Sequence, residues 1–150
     1  MSKIYNMSEI TEQFVPYKQA EQLKELGFDE DCLGYYEDSK LQISQVEYME
    51  YYMRLEAIFK IESEDNFYVL APLYSQTFDW FREKHNLNPW IDCNSDKKWL
   101  WTINFIEVGE YIQSDDWLEE LENLPDSYET FQEAQLACLD KLISLVKEKK

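Results

Sequence analysis

Residues 97 to 107, KKWLWTINFIE, alternate at strand period: Trp99, Trp101, Ile103 and Phe105 fall on one phase, Leu100, Thr102, Asn104 and Ile106 on the other. Side chains repeat every second residue only in extended chain, so this stretch commits the molecule to a sheet with two distinct faces. Upstream, PWIDC lies across the polar turn NSDK and reads as a further extended segment beside it.

A second strand pair is expected in CLGYYEDSKLQIS. Leu33, Tyr35, Leu41 and Ile43 favour extended chain, and the polar centre from Asp38 to Lys40 supplies the turn. FYVLA is a short apolar strand closed by Pro72, which then opens a helix at its first position. That helix, LYSQTFDWFREKHN, carries Tyr74, Phe78, Phe81 and His85 on one stripe, with Arg82, Lys84 and His85 in the last turn, where cations suit the helix dipole.

Three more helices are expected. In PYKQAEQLKELGF, Pro16 can occupy the first turn, Tyr17, Ala20, Leu23 and Leu26 recur at helical spacing, and Gly27 can take the left-handed position that lets Phe28 pack back on Leu23. QVEYMEYYMRLEAIFKIE places Tyr48, Tyr51, Tyr52, Leu55, Ile58 and Phe59 at helical spacing. TFQEAQLACLDKLISLVKEKK begins with Thr130 and Glu133 in capping-box spacing, and Phe131, Ala134, Cys138, Leu142 and Leu145 form its apolar stripe. Strand pairs separated by single helices, without regular βαβ alternation, define the expected class. It is α+β, a small antiparallel sheet of four to five strands packed with three to four helices, the last of them long. At 150 residues this is expected to be one domain, with residues 1 to 13 as a flexible N-terminal arm.

Thirty-one acids against fourteen bases give a formal charge of -17. Nucleic acid and anionic membranes demand cations, so direct binding to either is not expected, whereas a basic protein partner is favoured by long-range attraction. MSKIYNMSEITEQF has no apolar run of signal-peptide length, and three widely separated cysteines do not form a disulfide framework, which points to a reducing cytosol.

Three of these segments, FVPYKQAEQLKELGFDEDCLGYY (residues 14 to 36), APLYSQTFDWFREKHNL (71 to 87) and SYETFQEAQLACLDKLI (127 to 143), together resemble a group of small uncharacterised proteins encoded by bacteriophages and prophages of Bacteroidota. The resemblance covers a little over a third of the chain. It implies a phage-related origin, the bacterial host cytosol as compartment and host factors as partners. No activity comes with it, so it transfers no catalytic residue and no cofactor.

Sites for chemistry are sparse. His85 with Cys32, Cys93 and Cys138 are the only His-Cys candidates, in neither C-x-x-C nor H-x-x-x-H spacing, and Cys93 with His85 is the one thiol-imidazole pairing that could serve a nucleophile. Asp115 with Asp116, or Glu119 with Glu120, could act as acid and base or hold a divalent cation, yet no acidic run has the pattern of an EF-hand loop. Glycine-rich phosphate loops are absent from the sequence. No cofactor is therefore expected.

The charge distribution stands out instead. From Trp99 to Asp140 there are eleven acids and no base. Such a run is either a solvated acidic face or a docking surface, in which carboxylates around Tyr111, Trp117 and Tyr128 combine attraction with aromatic anchors. The expected partner-binding residues are Asp115, Asp116, Trp117, Glu119, Glu120, Glu122, Asp126 and Tyr128, and the expected partner is a host or phage protein with a basic surface. The leading reading is a non-enzymatic accessory protein that acts by protein binding. Its alternatives are a DNA mimic that occupies a host nucleic-acid-binding protein, a small carboxylate- or metal-dependent enzyme, and a structural component of an assembly built as a homo-oligomer.

Overall fold

A computed structural model of the chain describes residues 6–43, 68–115 and 125–149. The fold is α+β, and the chain divides into two compact units, Met1–Thr77 and Phe78–Lys150. The expected helix over residues 45 to 62 lies outside the described residues.

The first unit opens with a short helix, α1 (Met7–Thr11), inside the expected N-terminal arm. Asn6 and Glu9 form its capping box, each side chain satisfying the other's backbone N–H. Helix α2 (Tyr17–Glu25) follows, with Pro16 at its N-cap. It stops as its sequence demands: Gly27 takes φ +94°, its N–H bonds the Lys24 carbonyl, and the Phe28 N–H bonds the Leu23 carbonyl at 2.9 Å. These are the two bonds of a Schellman motif, and they bury Phe28.

Strands β1 (Gly34–Glu37) and β2 (Lys40–Ile43) form the expected hairpin. Its two-residue turn, Asp38 and Ser39, has positive φ at both positions, the type I′ geometry whose twist matches paired strands. Tyr36 is the core residue of β1, and its hydroxyl donates to the Val15 carbonyl at 2.6 Å, while Leu33 lies outside β1 and is exposed.

Strand β3 (Tyr68–Ala71) pairs antiparallel with the other edge of β1, giving the order β2-β1-β3. Pro72 does not open the next helix. Its carbonyl accepts from the Val15 N–H at 2.9 Å, Leu73 forms an antiparallel bridge with Phe14, and helix α3 begins only at Tyr74 (Tyr74–His85). Pro72 therefore serves as an extended continuation of β3, a role its fixed φ allows. Val15, Leu23, Tyr36, Val69 and Ala71 make the core of this unit.

In the second unit, β4 (Leu87–Cys93) and β5 (Trp99–Phe105) pair over seven residues, and β6 (Glu110–Gln113) adds to the far edge of β5. Among the described residues there are thus two three-stranded antiparallel sheets where one of four to five strands was expected. Strands β1 to β3 pair among themselves, as do β4 to β6, so the strand pairs expected along the chain do not merge into one sheet. Asn86 turns the chain out of α3 at φ +54°, a conformation asparagine tolerates, and its carbonyl accepts from the Ile106 N–H at 3.0 Å. Arg82 fixes the same corner: its Nε donates to Asn88 Oδ1 at 2.7 Å while its guanidinium pairs with Asp79.

Helix α4 (Phe131–Glu148) lies on β5 and β4. Thr130 and Glu133 form the expected capping box. The buried stripe is Ala134, Cys138, Leu139, Leu142, Ile143 and Val146. It is rotated from the expected one: Phe131 stays partly exposed against Trp99, with ring centroids 5.3 Å apart, and Leu145 is only half-buried. Trp101 and Ile103 meet this helix from the sheet and are buried, so one phase of the β5 alternation is the core. No described helix is long and apolar enough to cross a membrane.

Two substitutions test this account by chemical denaturation. Ser39→Gly relieves the left-handed backbone at the I′ turn and is expected to stabilise the chain by about 0.5–1 kcal/mol. Gly34→Ala is expected to destabilise it by about 1–3 kcal/mol, because its Cβ would meet the Gln42 carbonyl oxygen and the Phe14 ring at 3.0 Å each.

Candidate functional site

The acidic stretch is an excursion from the edge of β5, tied down at both ends. The chain leaves at Ser114, whose N–H donates to the Trp101 carbonyl at 3.0 Å. It returns at Tyr128, whose N–H and carbonyl exchange bonds of 2.9 and 2.8 Å with Trp99. Cys93 of β4 occupies the opposite side of Trp99, so Tyr128 takes up the line that β6 abandons. Departure and return are thus two residues apart on a single strand.

Of the eight expected contact residues, Asp115, Asp126 and Tyr128 are described, and Asp116, Trp117, Glu119, Glu120 and Glu122 lie outside the described residues. Asp115 and Asp126 stand at the two roots of the excursion and make no ion pair with any described residue. Tyr128 is half-buried. Burial pushes its phenol pKa up, the nearby Trp101 indole acts in the opposite direction, and Asp140 and Asp126 add to the rise. Among the described residues no acceptor stands in hydrogen-bonding geometry to the buried Trp101 Nε1, and the Tyr128 phenol is the polar group that it influences. A tyrosine held in this way is an anchor first, because its backbone closes the loop.

Several acids of the long negative run have structural duties. Glu129 pairs with Lys98, which sits just outside the run and so supplies a base that the local sequence does not show. Glu133 caps α4, and Glu107 of the β5–β6 turn accepts at 2.7 Å from Nδ2 of Asn86, which lies between α3 and β4. Residues 115 to 127 hold six acids and no base in the sequence.

The thiols and the imidazole are not assembled into a site. Cys93 and His85 lie at opposite ends of β4, and seven residues of strand put them on the order of 20 Å apart. His85 packs edge-on against Trp80, centroids 4.7 Å apart, and Trp80 is a buried residue that lies off the expected helix stripe. Cys138 is fully buried beneath α4, and burial raises its pKa. Cys32 donates to the Glu30 carbonyl at 3.2 Å, and burial, with Glu30 and Asp31 beside it, pushes its thiol up to about 12. Among the described residues, no group of three or more His, Cys, Asp or Glu side chains converges as a metal site would require.

Around the acidic stretch, strand β6 and the Trp99–Tyr128 bridge escaped the sequence reading. Gly109, at φ +71° with its N–H on the Phe105 carbonyl at 2.9 Å, was a legible signal for the first, since it permits the turn that folds Glu110–Gln113 back onto β5. Nothing local marks the second. Compared with family models, curated proteins and solved structures, the chain matches none.

Thiol chemistry gives a direct check. With a disulfide reagent at pH 8, one thiol is expected to react rapidly, the exposed Cys93, and Cys93→Ser should abolish that phase and leave two slow ones. The Cys32 shift also has a sign. Its folded pKa is raised, so its contribution to stability is complete below the ordinary value of 9.0 and is lost as the pH climbs toward about 12, a window in which only the unfolded chain ionises. Cys32→Ser should flatten the alkaline fall in denaturation midpoint.

Proposed function

We propose that the protein is a non-enzymatic accessory protein of phage or prophage type, working in the bacterial cytosol by binding a host or phage protein with a basic surface. The observation that carries this reading is the tethered acidic excursion. Six acids without a base in residues 115 to 127 would be an unremarkable solvated loop if the chain simply wandered there. Instead, both ends are held by backbone bonds to Trp101 and Trp99 of one strand.

Anchored ends limit the freedom that docking must remove, and summed negative charge speeds encounter with a cationic partner. The sequence of this stretch adds Trp117 and Tyr128, residue types that concentrate binding energy at interfaces. The acids with structural roles, Glu107, Glu129 and Glu133, flank this region and build the frame that presents it.

The test is a tagged capture from host lysate at low and at high salt, with retained proteins identified by mass spectrometry. The expected result is one basic partner held at low salt and released at high salt. Changing Asp115→Asn, Asp116→Asn, Glu119→Gln and Glu120→Gln together should weaken that partner's binding about tenfold or more, which is about 1.4 kcal/mol. Failure to retain any specific partner at either salt would overturn the proposal.

A further inference from the structure

Four large apolar side chains of the second unit are exposed, Trp90 and Tyr111 on one face of its sheet and Ile106 and Val108 at the β5–β6 turn. The register sets Trp90 across from Thr102 and Gln113, and Tyr111 across from Asn104, so Trp90 and Tyr111 share the face turned away from Trp101, Ile103 and α4. Trp90 is 40% exposed and Tyr111 58%. Beside them, Ile106 follows directly after β5 and Val108 tips the β5–β6 turn, at 50% and 67% exposure. Two aromatics with neighbouring aliphatics, half in solvent on a rigid sheet, have the composition of an interface centre rather than of ordinary surface.

The charges around this face select its occupant. Asp92 lies on the same face, exposed, opposite Leu100, and Glu107 and Glu110 border the turn. Glu107 is held by the neutral amide of Asn86, so its charge is not cancelled there, whereas the nearby cation Arg82 is paired with Asp79. A second copy of this chain would bring the same acids and a net charge of -17 against each other.

We propose that this face docks a basic segment of a partner protein, one in which lysines or arginines alternate with aliphatic residues that pack on Trp90 and Tyr111. The inference rests on the reading that the protein acts by binding. It moves the energetic centre of the contact to the sheet face and leaves the carboxylates of residues 115 to 127 to govern encounter.

The experiment uses the full chain and a synthetic peptide of alternating lysine and leucine as probe, with a lysine–serine peptide of equal charge as control. Binding is read by titration calorimetry and by the Trp90 indole N–H resonance. The lysine–leucine peptide is expected to shift that resonance and to bind at least tenfold more tightly than the control. Trp90→Ala or Tyr111→Ala should weaken it tenfold or more, while Trp90→Phe, which keeps an aromatic ring, should recover most of the loss. The four-amide variant should retain the affinity contrast between the peptides and lose mainly salt dependence.

If the amides abolish binding while the aromatic variants do not change it, this face is not the docking centre, although the acidic-surface reading survives. Equal affinity for both peptides would overturn the proposal in the same way. An absence of binding by the native chain would overturn it too, leaving lysate capture to decide the broader reading. Vesicles of neutral phosphatidylcholine that broaden the Trp90 resonance would identify a lipid contact and sink the protein-docking proposal.

Discussion

The burial of Trp101 and Ile103 beneath α4, while β5 is paired along both of its edges, is the constraint on which the second unit depends. A fully buried side chain of Ile103's size contributes about 1.5–3 kcal/mol, and a slip of one residue would turn this whole phase toward solvent. The register of β5 is therefore strongly specified. Three further features inherit it: the seven-residue pairing with β4, the attachment of β6, and the two bonds by which Tyr128 closes the acidic excursion on Trp99.

The same frame explains how a chain this acidic stays folded. Glu9 and Glu133 sit at helix N-termini, where their carboxylates satisfy backbone N–H groups and meet the positive end of the dipole. Arg82, Lys84 and His85 fill the last turn of α3, and Lys147 the last turn of α4, the complementary arrangement. At the β5–β6 turn Glu107 and Glu110 are exposed, where water and salt screen them.

Much of the local architecture could be read from residue types. Gly27 with Phe28 announced the end of α2, Thr130 with Glu133 the start of α4, and the polar residues at Asp38 and Ser39 the first hairpin turn, because each device acts within four residues of chain. Errors entered where a choice depended on a distant partner. Pro72 extends β3 because Val15 needs its carbonyl. Val146 replaces Leu145 on the α4 stripe because the helix is rotated to cover Trp101 and Ile103. For the candidate site, the sequence exposed the charge imbalance but hid Lys98, the partner of Glu129, which lies 31 positions away.

The end of α2, the start of α4, the period-two strand and the excess of carboxylates were settled by the residues themselves, since capping, alternation and charge are properties of neighbours. Tertiary structure alone decided that six described strands form two sheets, that Glu110–Gln113 joins β5, and that Ser114 and Tyr128 come to rest two residues apart on one strand. Backbone groups are nearly identical at every residue, so which strand edges meet is chosen by how the side-chain faces pack, and a linear pattern records the faces without recording their partners.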